Sequence, residues 1–134
     1  MTIKILSAKQ FATKLKATIQ ASGRLGFTDE TAKALDLASG KFAKFAKDEE
    51  NDVLYLIIID NEDEDAFQIK LSSSYYYVPT RQLFDMLGFD YENNTIMFDL
   101  IRQPSHDADL AGQVYRMKPR INPRKDKKND DIEL

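Results

Sequence analysis

One order of residue types occurs twice in this chain. Ile19–Leu37 reads IQASGRLGFTDETAKALDL, and Ile69–Phe89 reads IKLSSSYYYVPTRQLFDMLGF. Each stretch opens on Ile followed by Gln or Lys, passes a small polar pair, and continues into a strand-like segment that ends in Thr. Thr28 precedes Leu35 by the same spacing that separates Thr80 from Leu87, and an apolar residue follows two positions later in both, Leu37 and Phe89. An internal repeat constrains a fold more than any local propensity, because one supersecondary unit must then be built twice and packed against itself.

Local physics fills in the unit. Residues 13–22 are read as a strand, since Lys14-Leu15-Lys16-Ala17-Thr18-Ile19-Gln20-Ala21 alternates polar and apolar side chains. The competing reading is a helix from Ser7, with Phe11, Leu15 and Ile19 spaced by four. Phe67, Ile69 and Leu71 alternate in the same way as the first strand. Thr28 suits an N-cap, with Asp29 and Glu30 in the first turn, and Gly40 is expected to stop the element. In the second copy Thr80 is the expected cap, Leu83, Phe84 and Leu87 the apolar face, and Gly88 the terminator. KFAKFAK with VLYLIII, and TIMFDLIR with QVYRMK, supply two pairs of strands. The spacing therefore predicts short helices near 29–36 and 80–87.

The fold class expected is α+β and strand-rich: two β-α-β-β repeats forming a small barrel or paired sheets, with two short helices. The chain divides into a lead-in at 1–12, a first repeat at 13–66, a second at 67–118, and a tail at 119–134. The tail, PRINPRKDKKNDDIEL, is proline-containing, charged and poor in apolar residues, which predicts disorder. Its acidic tip, Asp130 to Leu134, has interleaved apolar residues of the kind that can recruit a protein partner.

Charge and composition narrow the function. Net charge is −3 but uneven: residues 1–50 carry nine Lys/Arg against six Asp/Glu, 51–110 three against twelve, and 111–134 seven against four. Overall acidity opposes coating of nucleic acid by net charge, yet leaves room for a local basic face. No apolar run approaches the ~18 residues of a membrane span, and MTIKILSAK lacks a secretory apolar core. The expectation is a cytoplasmic protein with no membrane partner. There is no cysteine, so disulfides, thiolate metal sites and cysteine nucleophiles are excluded.

Catalytic signatures are sparse. The chain has no P-loop, GxGxxG or GxSxG. Asp60–Asp65, DNEDED, lacks the glycine and spacing of a calcium loop and reads as a solvated turn. His106 is the single histidine, which opposes a triad or transition-metal role. A non-enzymatic protein with no cofactor and no metal is expected.

GRLGFTDETAKALDLASGKFAKFAKDEENDVLYLIII resembles the AbrB/MazE-type swapped-hairpin domain. Gly23-Arg24, Phe27-Thr28 and Leu35-Asp36-Leu37 match its Gly-Arg strand, its step into a short helix and its helix end. The second copy supplies Val78-Pro79 and Leu87-Gly88-Phe89, but has tyrosine where the first has Gly-Arg. In that family two chains exchange hairpins to close one barrel, so two tandem copies imply closure within one chain. The resemblance implies a small DNA-binding regulator or antitoxin-like protein, with duplex DNA and a second copy of the chain as partners. It makes Lys14, Lys16, Arg24 and Lys33 the nucleic-acid contacts; ordinary surface lysines are the alternative. Residues 41–88 alone, four strands and then a helix, are also similar to the Whirly/PUR-like unit that binds single-stranded nucleic acid. The remaining alternative is an acidic protein–protein interaction module with no nucleic-acid role.

Tyr75, Tyr76 and Tyr77 are the stacking or interface candidates. On a strand, Tyr75 and Tyr77 share one face and Tyr76 takes the other. Either one set packs in the core while the other covers a surface or a subunit contact, or the tyrosines form a base-stacking platform, to which Tyr76 would contribute.

Overall fold

The computed structural model describes residues 2–5, 15–104 and 113–124. Nine strands form one sheet: β1 (Leu15–Ile19), β2 (Leu25–Phe27), β3 (Phe42–Asp48), β4 (Val53–Ile59), β5 (Phe67–Gln68), β6 (Lys70–Leu71), β7 (Tyr76–Val78), β8 (Asn94–Gln103) and β9 (Gln113–Pro123). Among the described residues, two short α-helices, α1 (Asp29–Ala34) and α2 (Arg81–Met86), join the sheet in a strand-rich α+β fold. The strand order is β5-β3-β4-β9-β8-β1-β2-β7-β6. The two ends of that order, β5 and β6, are separated in the chain by Ile69 alone, so the sheet curls into a nearly closed barrel.

All pairings are antiparallel. Each of the first four strands has a partner from the second part of the chain: β1 pairs β8, β2 pairs β7, β3 pairs β5 and β4 pairs β9. The described parts of the two segments, 15–66 and 67–104 with 113–118, thus share one sheet and one interior. Ala17, Ile19, Leu25, Leu56, Val78, Ile96, Phe98 and Met117 face inward and are buried. Phe84 of α2 is completely buried at the centre of an aromatic cluster, stacked on Phe98 at 6.1 Å and edge-on to Phe89 at 5.7 Å and Phe45 at 6.1 Å.

Residues 15–19 are strand, which decides against the helical alternative over that stretch; residues 6–14 lie outside the described part. The alternation prevails because β1 is flanked on both sides, by β2 and β8, with Ala17 and Ile19 inward. Thr28 caps α1 as expected, accepting from the Thr31 N–H. Thr80 does not cap α2 through its side chain. Its hydroxyl is buried and donates instead to the carbonyls of Gly23 and Val78.

The helix ends match each other. Ala32, Leu35 and Asp36 donate backbone N–H groups to Thr28, Thr31 and Lys33, while Phe84, Leu87 and Gly88 donate to Thr80, Leu83 and Asp85. Each bond of the second set falls 52 positions after its counterpart. The left-handed residue that ends each helix is Asp36 (φ 53) in one case and Gly88 (φ 81) in the other. Gly40 therefore does not stop α1; it ends a separate 3-10 turn, Leu37–Ser39.

The boundary expected at residue 119 moves. β9 runs on to Pro123, with Phe98 opposite Pro119 and Asn94 opposite Pro123. Two prolines fit in this strand because β4 leaves β9 at Met117, so beyond that point only one side of β9 is paired. Residues 125–134, including the acidic tip, lie outside the described part, as does His106.

Candidate nucleic-acid interface

Arg24 leads into β2 from the β1–β2 turn, where Gly23 adopts φ +90. A side chain at Gly23 would have nowhere to go: a Cβ there would lie 2.7 Å from the Cγ of Arg81. This close approach brings the turn against the start of α2, and the bond from Thr80 to the Gly23 carbonyl (3.0 Å) fixes it. Arg24 and Arg81 consequently line one surface depression with Ser22, Pro79, Gln82 and Met86.

β7 pairs with β2, setting Gly26 opposite Tyr77, and the side-chain amide of Gln20 fills the space above Gly26. The Arg24 guanidinium lies over the Tyr77 ring, 4.3 Å from its centroid. Such a cation–aromatic contact holds an exposed arginine in a fixed direction. Tyr75 lies on the same face, its ring 6.0 Å from that of Tyr77, and its hydroxyl is 3.3 Å from the side-chain oxygen of Gln20. Lys70 stands opposite Tyr77 on the far side of β7. Tyr76 points the other way and packs against the core.

The positions expected to bind nucleic acid do not gather in one place. Lys14 lies outside the described residues. Lys16 sits on β1 opposite Asp99, which in turn faces Lys118 and bonds Arg120 at 3.0 Å. Lys33 lines a different depression, beside α1, with Asp29, Asp36, Ser74 and Tyr76. Among the described residues of the basic set, Arg24 alone joins Tyr75 and Tyr77, while Lys33 shares its depression with Tyr76. Sequence pattern does not point to Arg81, because nothing near it in the chain marks it; Gly23 reaches it through the pairing of β2 with β7, strands far apart in the chain.

Among the described residues, ion pairs join Lys41 to Asp60, Lys44 to Asp63 (3.0 Å), Lys47 to Asp52 (3.3 Å) and Arg120 to Asp99 (3.0 Å). Arg24 and Arg81 share with Lys16, Lys33, Lys70, Arg102, Arg116, Lys118 and Arg124 the lack of an ion pair among those residues; what distinguishes them is that they line one depression. The DNEDED turn is largely held by β3. The Asp63 carboxyl accepts from the Asp65 N–H and from Lys44, and these two bonds lower its pKa below the ordinary 3.8. The described residues hold no group of three or more His, Asp or Glu set to bind a metal, and no helix among them is long and apolar enough to cross a membrane. Comparison of the chain with known protein families, with curated proteins and with solved structures finds no match in any of the three.

Proposed function

We propose that this chain is a small, non-enzymatic nucleic-acid-binding protein of the regulator or antitoxin-like kind, working through Arg24, Arg81 and the outward tyrosines. The observation that carries this reading is the placement of Arg24 over Tyr77, with Arg81 on the same depression and no carboxylate paired to either among the described residues. Two guanidinium groups with no ion-paired carboxylate among the described residues favour a phosphate partner, since each offers a planar fork matched to its oxygens.

The AbrB-like architecture is part of the same proposal. Its support is the offset of 52 between the helix-end hydrogen bonds, and a pairing scheme that maps onto itself. Exchanging β1 with β5–β6, β2 with β7, β3 with β8 and β4 with β9 maps the strand pairs of the sheet onto one another, with β2–β7 and β4–β9 mapping onto themselves. On this reading one chain supplies both halves of a barrel that the resembling family builds from two. The binding unit is then a single chain, and a homodimer is a further level of assembly that sedimentation velocity would detect.

The test is a fluorescence-anisotropy titration with labelled oligonucleotides, duplex and single-stranded, at two salt concentrations. Binding that weakens with salt, and weakens further in Arg24→Ala, is the expected result. Removing one arginine–phosphate interaction should reduce the salt slope by about 0.7–0.9. Absence of binding by the wild type at low salt would end the proposal.

A further inference from the structure

We infer that the ligand is a single nucleic-acid strand, with one backbone phosphate seated between Arg24 and Arg81 and a base laid against Tyr75. The inference rests on the nucleic-acid reading and names its ligand form.

Three observations carry it. First, the cationic depression and the tyrosine face are continuous, because Arg24 belongs to both: it lines the depression with Arg81 and lies over Tyr77. A strand whose phosphate enters the depression therefore has an aromatic ring beside it. Second, Arg24 lies over the Tyr77 ring, whereas Tyr75 next to it, partly buried like Tyr77, is held by its hydroxyl near Gln20 and Arg24 rather than beneath a guanidinium. Bases stack on such rings only when they are unpaired and can splay outward, as they are in single strands. Duplex bases are stacked on each other and present only edges.

Third, the fold contains an equivalent depression that lacks the chemistry. The first helical residue of α2 is Arg81, and that of α1 is Asp29; each lines a depression beside the strand turn of the opposite half, with Ser22 in one and Ser74 in the other. Where the first has Arg24 and Arg81, the second has Tyr76, Asp29 and Asp36 with a single Lys33. The backbone thus offers two seats and the side chains make one of them cationic. One strand per chain follows.

The experiment titrates the full chain against a labelled oligothymidylate of twelve nucleotides and against a duplex hairpin of matched length, across a salt series. The single strand is expected to bind more tightly, at one site per chain. Arg24→Ala and Arg81→Ala should each reduce the salt slope by about 0.7. Tyr75→Leu should weaken binding by roughly five- to a hundredfold while leaving the slope unchanged, since stacking releases no counterion. Tyr75→Phe keeps the ring and should bind nearly as wild type, which separates stacking from a folding defect. Lys33→Ala, in the second depression, should change neither affinity nor slope. Tighter binding of the hairpin, or equal binding by Tyr75→Leu and wild type, overturns the inference and leaves the broader reading standing. Failure of both oligonucleotides to bind at low salt overturns both.

Discussion

Gly23 holds the two arginines together, and it does so by having no side chain. Its φ of +90 and the 2.7 Å approach to Arg81 both exclude a Cβ. Gly23→Ala is expected to cost about 1–3 kcal/mol through the left-handed conformation alone. It should also push Arg81 away, so that nucleic-acid binding falls by more than the reduced stability explains. Urea denaturation read beside an oligonucleotide titration distinguishes the two effects. At this scale the sequence is partly legible. Period-two alternation is enough to sort Tyr75 and Tyr77 from Tyr76, because a strand leaves no choice. Arg24 is legible through the Gly-Arg step. Arg81 is not, since its approach to the Gly23 turn joins positions that neither periodicity nor capping connects; the Thr80 to Gly23 bond beside it spans 57 residues.

The elements differ in how their ends are held. Thr28→Ala removes the side-chain acceptor for the Thr31 N–H, and should destabilise the protein by about 1 kcal/mol in urea denaturation. Thr80→Val acts differently. It leaves the Gly23 carbonyl without its hydroxyl donor and should loosen the junction between the β1–β2 turn and α2. The two threonines look alike in sequence because both precede a short amphipathic run; burial of Thr80 decides between them. The extent of β9 escapes sequence pattern for a related reason. Prolines argue against a strand when both edges must donate, and here one edge is free beyond Met117.

The turn after β4 has its own pH window. Asp63 is held below 3.8 chiefly by the Asp65 N–H and then by Lys44, so its contribution is present above that value and lost as pH falls through the lowered one. Lys44 is raised above 10.5, chiefly by its bond to Asp63; its contribution is present below 10.5 and lost as pH rises through the raised value. The clamp is therefore expected to hold between about pH 4 and 10. Amide exchange at Asp65 should accelerate below that range, and Lys44→Gln should accelerate it within the range.

At the scale of the molecule, the interior belongs to both halves. Phe84 meets Phe45 from one and Phe89 and Phe98 from the other, so Phe84→Ala should cost about 3–5 kcal/mol and unfold the chain as one unit. Fragments ending and beginning near residue 66 should each lack a cooperative thermal transition, since every strand of the first half would lose a partner. Two independently melting fragments would contradict the shared interior. The strand-rich class and both helices are legible in the sequence, because each rests on local pattern. The order of strands around the barrel is not, because it depends on which distant edges meet.

That order bears on how the chain is made. β1 finds its second partner only when β8 exists, with Leu15 opposite Leu100. At a synthesis rate of roughly 5–20 residues per second, the delay is on the order of 4–17 s. For that time a translating ribosome presents β1 with one edge bare, and β4 must wait longer still for β9. A nascent chain stalled before Asn94 should be cleaved readily by protease and bound by holdase chaperones, and one released after Pro123 should resist both. The lateness of its closing strands leaves the sheet incomplete for most of the chain's own translation.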